Sequence, residues 1–108
     1  MRITIDFSVF TREPAAFGRV GGPLELPVIP MIGDSVSFLF PTRSKVSPVE
    51  GFIGQVKIEH RILIPDQKEP ELLIMLEDVT VPTLAHAEAL ADYLERGFDL
   101  HVERYGQL

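Results

Sequence analysis

Asp34 and Ser35, set directly behind Gly33, place a carboxylate beside a hydroxyl in the most organised stretch of this 108-residue chain, Ile29 to Pro41. Joined by the imidazole of His60, these residue types are those of a hydrolytic or small-ligand site. The carboxylate orients, the imidazole takes a proton and the hydroxyl attacks. No histidine lies in the Asp34 segment itself, so only the fold can supply the base. The competing reading is local. Gly33 permits positive φ, and Asp34 can accept bonds from nearby backbone N–H groups, which makes a turn that starts a strand.

Other chemistry is thinner. His86 and Glu88, two positions apart in a helical segment, point to different faces, and no H-E-x-x-H pattern occurs. His101 and Glu103 share a strand face, but two ligands fall short of the three or four that a metal site needs. No metal or cofactor is expected. Glu77 and Asp78 are adjacent and cannot act as a tandem acid and base. No phosphate-cradling G-x-x-x-x-G-K-[ST] is present, and "GRVGG" from Gly18 follows no strand-to-helix pattern. The loop Thr42-Arg43-Ser44-Lys45 is the one local basic cluster, suited to an acidic partner or a phosphate. The chain is thus expected to lack catalytic activity.

Composition narrows the classes. The formal net charge is −6, and residues 66–108 hold ten acids against three bases, −7, while residues 1–65 hold six acids and seven bases, +1. Binding to a phosphate backbone relies on clustered Lys and Arg, so nucleic acid is a disfavoured partner. A nucleic-acid-binding barrel would have to use Arg43, Lys45, Lys57 and Arg61 beside exposed aromatics. Cysteine is absent, which excludes disulfides and thiolate chemistry. No apolar run approaches the roughly 20 residues of a membrane span. The alternating N-terminus lacks the apolar block of a signal peptide, so a cytoplasmic location is the default expectation.

The elements follow from periodicity. Residues 2–10 alternate, with Ile3, Ile5, Phe7 and Val9 on the core side. Residues 11–30 gather prolines and glycines and read as a long irregular arm, whose Phe17, Arg19 and Leu24 either pin it to the body or meet a partner. Pro30 to Val36, "PMIGDSV", resembles the P-x-x-G-D-x-V turn of small β-barrels, SH3-like ones included. A strand over Val36–Phe40 ends at Pro41, and the loop Pro41–Gly51 is a second recognition element. Phe52–Ile64 is the longest strand, with Val56, Ile58, His60, Ile62 and Ile64 on one face, so His60 is expected to be buried. After "PDQKEP", Glu71–Val81 returns as its hairpin partner. Thr83 caps a helix over Leu84–Arg96 with Gly97 as its stop, and a short last strand follows.

Together these predict one domain over residues 1–108, of α+β class: a small, curved, antiparallel five-stranded sheet or an SH3-like split β-barrel with one C-terminal helix. Leu39, Leu63, Leu73 and Met75 lie opposite the main core face, and one helix cannot cover both faces. Leftover apolar surface marks an interface. The expected function is therefore a protein-binding or assembly module, self-associating as a homodimer or binding another protein, with recognition by Phe17, Arg19, Leu24, Thr42, Arg43 and Lys45. The alternative is the small-ligand or hydrolytic site at Asp34, Ser35 and His60.

Overall fold

The computed structural model describes residues 2–12, 15–38, 52, 54–65 and 71–105, with Glu71 by its backbone alone. The chain order is β1 (Arg2–Thr11), β2 (Ala15–Glu25), β3 (Ser35–Ser37), β4 (Gln55–Ile64), β5 (Glu71–Leu76), β6 (Val79–Val81), α1 (Leu84–Phe98) and β7 (His101–Arg104). The α+β class with a C-terminal helix is as the sequence predicts. The sheet is not. Among the described residues seven strands form a mixed sheet in the order β3-β4-β5-β1-β2-β7, with β6 also on β1, and the sheet does not close into a barrel.

The expectation of a purely antiparallel sheet fails at β1. That strand pairs antiparallel with β2, but both β5 and β6 run parallel to it, Thr4 opposite Leu73 and Val9 opposite Val79. The expected strand Glu71–Val81 is broken at Glu77–Asp78, and its two pieces lie end to end along one edge of β1.

A second correction concerns the Pro/Gly-rich arm, because residues 15–25 form a strand, interrupted only by a register shift at Phe17. Its glycines are tolerated because the strand runs close to its neighbours. A Cβ on Gly18 would sit 2.2 Å from the carbonyl oxygen of Glu103 in β7, so only glycine lets these two strands approach. Pro23 lies beyond the end of β7, which reaches only to Gly21, so its missing N–H leaves no gap in that ladder.

The core lies between one sheet face and α1. Ile3, Ile5, Phe7, Val9, Val20, Ile74 and Val102 meet Ala87, Leu90, Ala91 and Leu94 of the helix, all buried. Thr83 is the N-cap as expected, its hydroxyl accepting from the His86 N–H. The helix stops later than expected: Gly97 is buried within it, and Asp99 takes the left-handed cap at φ 58°. Leu84, Ala87, Leu90, Ala91 and Leu94 recur at spacings of three and four as one apolar stripe, but Leu84 departs from it and is 58% exposed. Phe38 joins the far strands to the helix. Its ring lies edge-on to Phe98 at 5.2 Å and near Phe7 at 6.2 Å, and the Tyr93 hydroxyl donates to its carbonyl.

Burial differs sharply along α1, so Leu90→Ala is expected to cost about 2–5 kcal/mol and Leu84→Ala under about 0.5 kcal/mol, read from urea unfolding midpoints. Burial also raises the Tyr93 hydroxyl above its usual pKa of 10.0. The unfolded chain then loses that proton first, so this stabilisation is complete below pH 10 and declines as pH rises beyond it. The loss between pH 9 and 11 is expected to be shallower in Tyr93→Phe, which cannot ionise.

Candidate apolar docking turn

Between β2 and β3 the chain is held at a few points and apolar between them. Leu26 is half-buried against the core, and Pro30 is buried. Val28, Ile29, Met31 and Ile32 instead face outward, exposed by 66, 50, 60 and 64%. Two prolines within Pro27–Pro30 deny this segment a helix or a central strand, which is why no element hides its side chains.

The turn that follows is fixed despite its exposure. The Asp34 N–H donates to the Met31 carbonyl at 3.0 Å, and the Met31 N–H donates to Asp34 Oδ2 at 2.9 Å. The Gly33 N–H donates to the Ile58 carbonyl at 3.0 Å, and the Ile58 N–H donates to the Asp34 carbonyl at 2.8 Å. Gly33 sits at φ 96°, and an added Cβ there would meet nothing within 4 Å, so the backbone angle alone calls for glycine. Met31 and Ile32 are thus presented on a hydrogen-bonded frame, with little backbone entropy left to lose there on docking, and Val28 and Ile29 lead into it.

The expected polar site does not assemble in this way. Asp34 uses its carboxylate to close the turn, Ser35 pairs with Lys57 at the exposed edge, and no hydrogen bond joins either to His60. His60 is exposed, against the expectation that it lies on the buried face. The cause is a bulge between Ile58 and His60, which shifts β4 by one residue. Ile58 therefore faces the core opposite Leu76, whereas His60 and Ile62 join Met75 and Leu73 on the far side.

That far side carries Thr4, Asp6 and Ser8 of β1 and has no helix over it. Arg19, opposite Ser8 in β2, donates from Nε to both oxygens of Asp6 at 2.7 and 2.9 Å, and from Nη2 to Oδ2. Asp6 is nearly buried and Arg19 half-exposed. Hydrogen bonding and the charge of Asp6 push the guanidinium further above its usual pKa. Leu73 and Met75 are half-buried here and Ile62 is 39% exposed, while Leu63 on the helix side is 76% exposed.

Of the other expected recognition residues, Phe17 is buried in the core and Leu24 is packed against it. Thr42, Arg43 and Lys45 lie outside the described residues, as do Leu39 and most of the loop Pro41–Gly51. A cleft of about 370 Å3 opens beside Leu24, Leu26, Val36, Phe38 and Phe98, with Arg2 at its rim. Among the described residues no group of three or more His, Asp or Glu could hold a metal ion, and no helix is long and apolar enough to cross a membrane. Compared with known proteins, the chain matches no family model, no curated protein and no solved structure.

Removing the carboxylate that closes the turn tests how firmly it is held. Asp34→Ala is expected to cost about 1 kcal/mol and to speed amide exchange at Met31 and Gly33 while leaving exchange in α1 unchanged.

Proposed function

We propose that this chain is a protein-binding or assembly module without catalytic activity, docking through the apolar turn Val28–Ile32. One observation carries the reading: four large apolar side chains stand outside the core in one short segment, and the turn Met31–Asp34 that carries two of them is held by four hydrogen bonds. A soluble chain that merely tolerated such residues would leave them scattered, whereas a contiguous, ordered apolar patch favours a partner. The partner is a protein or a second copy of the chain. Net charge −6 disfavours nucleic acid. A cysteine-free chain of this composition suits a cytoplasmic setting. The 370 Å3 cleft beside Phe38 supports a second reading, a small-ligand site, because its volume lies within the range of ligand pockets and its lining joins Leu24, Val36 and Phe38 to Arg2 and Glu25.

The test is light scattering over a dilution series together with capture of partners from native lysate. Wild type is expected to associate, with itself or with a captured protein. Replacement by Met31→Glu with Ile32→Glu is expected to weaken that association by about tenfold or more, since two exposed apolar contacts at roughly 1–2 kcal/mol each are lost. Unchanged association by this folded variant would sink the turn as the docking element. A ligand binding in the cleft would instead be lost with a substitution at Val36 and unaffected at Met31.

A further inference from the structure

Residues 60–64 of β4 pair with β5 on one side. On the other side β3 reaches only Gln55–Lys57, with its turn bonded to Ile58, and among the described residues no strand pairs with 60–64. An edge of this kind presents a row of open backbone groups. We propose that a second copy of this chain pairs antiparallel with that edge, with Ile62 opposite the partner's Ile62 on the two-fold axis. This rests on the assembly reading above and names its partner and register.

Symmetry and charge select the register. Alternate residues of a strand turn their N–H and C=O to opposite sides, so two opposed residues turn theirs either both toward each other or both away. When the two strands are identical, opposed residues share parity, so the two-fold passes through a residue and not between two. An axis through Arg61 sets two guanidinium groups face to face, which is unfavourable. An axis through His60 would bring the partner strand against Ile58, whose N–H and carbonyl are already bonded to Asp34 and Gly33. An axis through Leu63 sets Arg61 against a proline and shortens the ladder. Only Ile62 leaves all of 60–64 in opposed pairs.

That register also puts the exposed apolar groups to use. On the face away from α1, the two Ile62 side chains meet at the axis, each flanked by Ile64 of one chain and His60 of the other. On the opposite face, Leu63 lies against the alkyl stem of Arg61 across the axis. The turn containing Met31 and Ile32 is bonded to Ile58, so it stands at the upstream end of the same edge, where the partner's Ile64 arrives. The apolar turn and the apolar strand then belong to one isologous interface. An unrelated extended peptide would satisfy the backbone edge but has no reason to adopt this two-fold register.

Because the chain contains no cysteine, Ile62→Cys gives a single, clean cross-linking probe. Directly opposed strand residues hold Cβ atoms about 4.5–5.5 Å apart, close to disulfide reach. Oxidised Ile62→Cys is expected to give at least about tenfold more thiol-reversible dimer than Leu84→Cys, an exposed control on the helix. In wild type, light scattering should find twice the 12.1 kDa chain mass, and amide exchange over 60–64 should slow on concentration. A dimer whose Ile62→Cys variant cross-links no better than the control, with exchange unchanged, overturns this edge and leaves the assembly reading standing. A strictly monomeric chain at every concentration overturns the edge and self-association together, while capture of a different protein by the apolar turn would survive.

Discussion

The hydroxyl of Tyr93 gripping the carbonyl of Phe38 is the contact on which the rest of the architecture depends. Among the described residues β3 pairs with β4 alone and is three residues long, so its own ladder could not hold it in place. What fixes it is the buried Phe38 immediately after it, ringed by Phe7, Phe52 and Phe98 and tied by its backbone to the helix. Without that anchor β3 would be tied to the sheet only through β4, by its short ladder and by the bonds of the Gly33 turn to Ile58. Aromatic packing supplies the area. The hydrogen bond supplies the registration, because a buried carbonyl left without a donor is costly.

The two faces of the sheet answer different demands. One is sealed by α1, whose end is stapled to β7 by Arg104 reaching Glu88 and Glu95 at 3.0 Å each. The other has no helix over it among the described residues, and there Asp6 avoids the cost of a lone shielded carboxylate by pairing with Arg19. Such a pair adds little net stability when one partner is half in water. Its effect is better described as making a polar island in a face that also carries Leu73, Met75 and Ile62, so that the apolar area is divided and the richest exposed apolar surface falls at the β4 edge and the Val28–Ile32 turn.

Much of this was legible in the sequence where a period ran unbroken. The alternation of Ile3, Ile5, Phe7 and Val9, the cap at Thr83 and the stripe Ala87–Leu94 all translate directly into buried faces. The failures have physical causes. Residues 15–25 looked irregular because glycine and proline usually break strands, and nothing local reveals that Gly18 is needed for close approach to Glu103. The parallel neighbours of β1 depend on pairing between distant segments, which periodicity does not encode. His60 was misplaced because a single bulge reverses the two faces of β4 downstream of it. For the candidate site, Asp34 and Gly33 announced the turn. Its apolar display could have been found in "PVIPMI", where large side chains stand between prolines with no period that would bury them.

Parallel pairing of β1 with β5 and β6 also shapes how the chain comes to be folded. The hairpin β1–β2 closes locally, but the opposite flank of β1 waits for Leu73 and then Val79, about seventy residues downstream, so it stays bare until they have been made. During synthesis the nascent hairpin would carry Ile3, Ile5, Phe7 and Val9 with neither helix nor neighbour to shelter them. A chaperone that holds early hydrophobic hairpins would shelter those side chains until β5, β6 and α1 are in place.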